Sequence, residues 1–322
     1  MNRKAVIYTL VAFLVLSLTG AAIYFKSKPV VSPETAKVKF GYLPIADSAP
    51  LYIAIDEGMF QKAGIEPQVT SIRAGALVLE ALGTQNIDVG FSNTLSFIFA
   101  NSSGVDLVSL GGVAVNDQEH KEGAILVKAN SQIKAVQDLR GKTMAINARK
   151  NIVELSIRQL LKKNGVPPDD VRFVEIPFPQ MENVLGSNQV DAIAVAEPFW
   201  TFAENHGGVR VLAYYYGDVY DSLEVTSWFA TRQWIEKNPE TAKKVHEVFV
   251  NAVSFLQDKK NENKVREIIA KYTQTDVNAA RQIRLPSFKP QLTRDGLQRI
   301  SDGMRAEGFL EKPVVLDNVL YR

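Results

Sequence analysis

The sequence predicts an α/β protein of two lobes, each a mainly parallel sheet flanked by helices, with a helical tail at the C-terminus. Three observations lead there. Short β-rich runs alternate with segments of helical apolar spacing from Val38 onward. The alternation breaks at Asn116–Gly123 and then restarts. From Pro239 the strand-like runs stop and helical periodicity takes over. Regular βα alternation buries a parallel sheet between helical layers.

Taken in order, Val38–Tyr42 is a β-rich run, and Pro50 suits the first turn of the helix that carries Leu51, Ala54, Ile55, Met59 and Phe60. Gly58 and Gly64 punctuate its end. A strand at Gln68–Ile72, a helix through Leu77, Leu79, Ala81 and Leu82, and a strand at Asp88–Phe91 follow. Thr94–Asn101 reads as a helix and Leu107–Val115 as a strand. In the second half, Ala124–Val127, Thr143–Asn147, Val171–Ile176, Ala192–Ala196 and Val209–Tyr214 read as strands. The helix Ile152–Lys163 stops at Asn164-Gly165, and another opens near Pro179. Residues 239–258, 261–271, 276–284 and 293–307 read as consecutive helices without intervening strands. The expected division is lobe I at 37–120 with 230–322, and lobe II at 121–229.

The chain has 322 residues, 37 basic and 35 acidic, with a formal net charge of +2 and no cysteine. That balance does not suggest nucleic acid, which calls for a clustered basic face. Lack of cysteine excludes disulfides, Cys-ligated zinc, Fe–S clusters, thiol nucleophiles and a lipidated cysteine anchor. No cofactor is expected. Arg3 and Lys4 precede an uncharged run from Ala5 to Phe25, which is long enough to span a bilayer core of about 30 Å. Thr19-Gly20-Ala21 offers small residues for cleavage, so residues 1–26 read either as a signal peptide or as an uncleaved membrane anchor. The flanking positive charges place the remainder outside the cytoplasm. Residues 27–36, with Pro29 and Pro33, read as a tether.

Ligands of open α/β sheets sit beyond the carboxyl ends of the strands, where loops and helix N-termini converge. That rule nominates Tyr42, Asp47 and Ser48 after the first strand, Arg73 after the second, and Asn93 and Thr94 after the third. Arg149, Asn151 and Glu197 hold the equivalent places in the second lobe. Helix N-termini and the two arginines suit an oxyanion, whereas Asp47 and Glu197 suit an amine or N–H donor. Each has a plainer reading. Ser92-Asn93-Thr94 fits ordinary N-capping, and arginines and acids at these places are often solvated or paired internally. Phe199 and Trp200 fit core as well as cleft. The run Tyr214-Tyr215-Tyr216 suits packing at a hinge.

Several stretches resemble the nitrate/sulfonate/taurine-type substrate-binding proteins of ABC transporters, a family that includes binders of pyrimidine-type thiamine precursors. They are Gly41-Tyr42-Leu43-Pro44, Glu57-Gly58-Met59-Phe60, Arg73-Ala74-Gly75, Ile87-Asp88-Val89-Gly90, Asp138-Leu139-Arg140-Gly141-Lys142 and Gln189-Val190-Asp191-Ala192, with Ala196-Glu197-Pro198. Their order matches from about residue 38 to the C-terminus. The resemblance implies a type II periplasmic-binding-protein fold with two hinge crossovers, closing around a small organic or inorganic anion. It also implies a membrane permease and an ATPase as partners. Binding proteins of this size are usually monomeric, and they perform no reaction. The chain departs from the sulfonate-like pattern in carrying Ser92-Asn93 where a Gly-Asp pair is common. Two alternatives stay open: a membrane-tethered sensing module, and an enzyme resembling pyrimidine synthases or prephenate dehydratases. Against the enzyme, His120, His206 and His246 are isolated, and no phosphate-binding or nucleophile-elbow motif occurs.

Overall fold

The computed structural model describes residues 35–316 and 318–321. The expected N-terminal signal or anchor, and the tether up to residue 34, lie outside the described residues. The first run of elements is β1 (Ala36–Tyr42), α1 (Ala49–Asp56), α2 (Met59–Lys62), β2 (Ile65–Ser71), α3 (Gly75–Gly83), β3 (Val89–Asn93), α4 (Thr94–Ser102) and β4 (Leu107–Asp117). The second is β5 (Gly123–Lys128), β6 (Thr143–Ile146), α5 (Ile152–Lys163), β7 (Arg172–Glu175), α6 (Phe178–Gly186), β8 (Ala192–Ala196), α7 (Phe199–His206) and β9 (Val209–Ala213). The chain then returns through β10 (Ser222–Thr231), α8 (Arg232–Lys237), α9 (Pro239–Gln257), α10 (Glu262–Thr273), α11 (Val277–Ala280), β11 (Ser287–Lys289) and α12 (Arg294–Ala306).

Two sheets result. One has the order β11-β4-β10-β3-β1-β2, the other β7-β6-β8-β5-β9. Each has a parallel core, β2-β1-β3 in the first and β7-β6-β8 in the second. Antiparallel strands extend both cores: β10, β4 and β11 in one, β5 and β9 in the other. The chain passes between the sheets twice, from β4 to β5 and from β9 to β10. These are the two crossovers the resemblance implied.

Three local features differ from the sequence expectation. Ser222–Thr231, where no strand was expected, is a long strand at the centre of the six-stranded sheet. The helical tail is interrupted by β11, which pairs with β4. The parallel cores are also joined by more antiparallel pairing than plain βα alternation predicts. The helical tail itself is present, and α9 packs on α1 and β4.

The first sheet's core is aromatic. Trp228 of β10 lies with its ring centroid 5.2 Å from Phe91 and 5.0 Å from Phe249, while Phe40 stands 4.9 Å from Phe60. All five side chains are buried. Rings at such tilted and offset spacings add to the area term. The second sheet is packed by aliphatics such as Leu126, Ile146, Leu155 and Ile193. The crossovers are pressed together. A Cβ on Gly123 would stand 2.2 Å from the Tyr215 ring, so only glycine lets that ring lie against the start of β5. Tyr215 donates its hydroxyl to the carbonyl of Val195, 3.0 Å away, which ties the second crossover to β8. Among the described residues no helix is long and apolar enough to cross a membrane.

Candidate functional site

A small cavity of about 40 Å³ lies where the strand ends of both sheets meet. The first sheet contributes Asp47 from the loop after β1, Ser92 and Asn93 from the end of β3, and Thr226 of β10. The second contributes Asn147 after β6, Asn151 at the start of α5, and Ala196 at the end of β8. The crossovers supply Glu122 and Tyr216. This is the position at which open α/β sheets hold ligands.

Two helices are capped into the cavity wall. Asn93 accepts from the backbone N–H of Ser96 at 2.9 Å, and Asn151 accepts from that of Glu154 at 3.0 Å. Asn151 also donates to Asn147 at 2.9 Å. The first N–H groups of α4 and α5 therefore converge here, together with the start of α3 at Gly75. Free N–H groups and the helix dipole favour negative charge at such ends.

The polar wall is short of partners. Ser92 Oγ and both carboxyl oxygens of Glu122 are buried with no hydrogen-bond partner. Asp47 is 4% exposed and accepts from the Thr226 hydroxyl at 3.4 Å. Burial pushes the Asp47 carboxyl up to about 7, against weaker lowering by hydrogen bonds. Burial likewise drives Glu122 well above the carboxylate range, and nearby Asp47 and Asp117 push it further. Removing a charge from water favours its neutral form, and a like charge beside it adds to the effect. Among the described residues lining the cavity, none is Lys, Arg or His.

Of the residues nominated from sequence, Asp47, Asn93 and Asn151 line this cavity. The other six do not. Tyr42 stacks edge-on with Tyr52 at 5.6 Å. Ser48 donates to the Leu43 carbonyl at 2.7 Å and shapes the loop that carries Asp47. Thr94 donates to the Glu224 carbonyl at 2.8 Å, fastening α4 to β10. Arg73 is exposed. Arg149 pairs with Glu154 at 3.2 Å and lies over the Phe173 ring, and its backbone N–H is taken by Glu175. Glu197 faces away from the cavity. Its carboxylate accepts from the Thr201 hydroxyl at 2.9 Å and meets Arg284 at 3.2 Å. Burial raises Glu197 to about 7, outweighing the hydroxyl and the guanidinium.

Sequence reasoning missed Glu122, Asn147, Tyr216 and Thr226. Glu122 immediately precedes the apolar run of β5 at the break between the two halves. An acid at that junction was the available signal.

A larger, open groove of about 770 Å³ is lined by Gln118–Lys121, Trp200, Tyr214 and Arg284–Phe288, among others. Three of its charged groups are engaged locally. Lys121 sits 4.0 Å over the Tyr214 ring, Arg284 sits 3.9 Å over Trp200, and Arg266 pairs with Glu262 at 2.7 Å. His120 is on this groove and bonded to Asp117 at 2.9 Å. The small cavity, with its unpartnered buried atoms, is the better ligand site.

Comparison with known proteins agrees with this geometry. A family model described as NMT1-like matches residues 31–270. The putative aliphatic sulfonates-binding protein of Escherichia coli (strain K12) is 31% identical over 210 residues, covering 64% of this chain and 62% of that protein. The nitrate/nitrite binding protein NrtA of Nostoc sp. is 25% identical over 264 residues, covering 77% of this chain and 60% of that protein. The chain thus matches about three fifths of the length of these two relatives. The alkanesulfonate-binding protein SsuA from Xanthomonas axonopodis pv. citri, solved with MOPS bound, superposes with a TM-score of 0.75 at 20% identity, over 90% of this chain and all of that one. The periplasmic nitrate-binding protein NrtA from Synechocystis PCC 6803 gives 0.67 at 18% identity, over 77% and 69%. The fold is that of the periplasmic binding proteins, as the sequence resemblance implied.

Proposed function

The chain belongs to the NMT1-like family, and on that footing we propose that it is an extracytoplasmic solute-binding protein that delivers a small solute to an ABC importer. One observation carries the reading. The strand ends of two sheets, linked by two crossovers, meet around a cavity whose Ser92 Oγ and Glu122 carboxyl oxygens have no partner among the described residues. Unmatched buried polar atoms cost free energy, and a solute that satisfies them recovers it. The protein itself performs no reaction. It acts as a monomer, with a permease and an ATPase as partners and the N-terminal segment as signal or anchor.

The lobes are the six-stranded and five-stranded sheets with their helices, and the hinge is formed by 117–123 and 213–222. Solute enters when the lobes part and is enclosed when they close, so its affinity sets the balance between the two states. The cavity of about 40 Å³ has room for only a few heavy atoms beyond its walls, so a larger solute requires some opening. The capped starts of α4 and α5 support a solute with an acidic group, in line with the sulfonate and nitrate named for the relatives.

A thermal-shift screen of the full chain tests this reading. The set includes sulfonates, taurine, nitrate, bicarbonate, amino acids and thiamine precursors. A binder at about one hundred times its dissociation constant stabilises the fold by about 2.7 kcal/mol. At least one compound is expected to raise the unfolding midpoint by several degrees, and Asn151→Ala is expected to remove most of that rise. A response that survives Asn151→Ala unchanged puts the solute elsewhere.

A further inference from the structure

We propose that Asp47 and Glu122 form a cation subsite within the cavity, so that the solute carries a protonated amine or another positively charged nitrogen beside any acidic group held by the helix starts. This rests on the solute-binding reading and names the chemical class of the solute. The two carboxyl groups come from different parts of the fold, the loop after β1 and the first crossover, yet both line one cavity. They are 4% and 2% exposed. Neither Glu122 oxygen has a hydrogen-bond partner, and the Asp47 carboxyl has its own backbone N–H and the long contact from Thr226. Ser92 Oγ, also unpartnered and fully buried, lines the same space.

Among the described residues that line the cavity, none is a cation. Lys121, adjacent to Glu122, turns its ammonium over Tyr214, and Arg149 is held by Glu154. The titratable neighbours that bear on the pair are Asp117, Tyr52, Tyr215 and Tyr216, none of them basic. A buried carboxyl with no cation is costly when ionised. A purely anionic solute leaves that cost in place and adds like-charge repulsion. A solute nitrogen bearing a positive charge offsets it, supplies the N–H donors that Glu122 lacks, and leaves the helix starts free for an acidic end.

The test uses matched compounds that differ only in an amine: taurine against ethanesulfonate, β-alanine against propionate, and ethanolamine against ethanol. Calorimetric titration of the full chain is run in two buffers of different ionisation enthalpy. The expected result is binding by the amine member of at least one pair, at least about tenfold tighter than its partner. That binding releases protons to the buffer as the carboxyls ionise. Glu122→Gln and Asp47→Asn, which keep shape and remove charge, weaken the amine member by a similar factor and abolish the proton release. Tighter binding by the desamino member, or equal loss of both members in Glu122→Gln, overturns the subsite and leaves the solute-binding reading standing. No binding by either member of any pair at millimolar concentration counts against both.

Discussion

Acidification from about pH 8 to about pH 5 raises the unfolding midpoint of this protein, against the usual expectation that carboxylates stabilise a fold as they ionise. Burial holds Asp47 and Glu197 each near 7 in the folded chain, from ordinary values of 3.8 and 4.5, and Glu122 is displaced in the same direction. Between roughly pH 4 and 7 the folded state therefore binds protons that the unfolded state has released. The stability they contribute is fully present below the unfolded values and is lost as pH rises through the folded ones. The opposite contribution comes from Asp117 and Asp138, which are held below the usual range and lose their benefit only in more acid solution. The net gain is on the order of a few kcal/mol, worth several degrees in a chain of this size. Scanning calorimetry across that range measures it. Asp47→Asn and Glu197→Gln should each flatten the profile, and a midpoint that is level or falls on acidification contradicts the account of the buried acids.

Replacing Arg284 has a cost that depends on pH for the same reason. The side chain joins the segment before β11 to the start of α7, meeting Glu197 at 3.2 Å and Glu204 at 2.8 Å, with its guanidinium 3.9 Å above Trp200. Glu197 is 1% exposed, so removing its cation leaves a buried carboxylate held by Thr201 alone. Arg284→Met is expected to cost about 2 kcal/mol at about pH 8, in the range for losing a charged hydrogen bond. At about pH 5 the cost should fall by more than half, because Glu197 is then protonated and the partly exposed Glu204 pair contributes little. Glu197→Gln in the Arg284→Met background should recover most of the loss at the higher pH. An equal cost at both pH values would assign Arg284 a packing role over Trp200 instead.

The first half of the fold was legible because its elements announce themselves. Pro50, Gly58 and Gly83 bound helices with regular apolar spacing, and the strands between them are short and apolar. The strand Ser222–Thr231 was not legible. Glu224, Thr226 and Ser227 break its apolar pattern, yet all three are buried and matched inside the protein. Glu224 accepts from the Thr293 backbone at 2.8 Å, Ser227 and Ser109 bond at 2.8 Å, and Thr226 reaches Asp47. Partners so distant in sequence cannot be read from the strand itself.

The site divides along the same line. Asn93 and Asn151 could be placed from sequence because an Asn between a strand and an apolar helix is a cap wherever it occurs. The arginines were less tractable, since position after a strand says nothing of which acid will claim them. Arg149 is taken by Glu154, five residues on. Glu122 was invisible for the converse reason: an acid before a strand is ordinarily solvated, and only the meeting of the two sheets buries this one.

The most direct test of the clamp takes advantage of a chain without cysteine. Single cysteines replacing Ala76 and Gln180, both exposed and lying one residue from Gly75 and two from Phe178 of the cavity lining, can carry a pair of spin labels. The distance between them, measured with and without the strongest stabilising solute, follows closure. The account predicts that solute shifts the distribution to shorter distances and narrows it. A distribution unmoved by a solute that binds the cavity would contradict it.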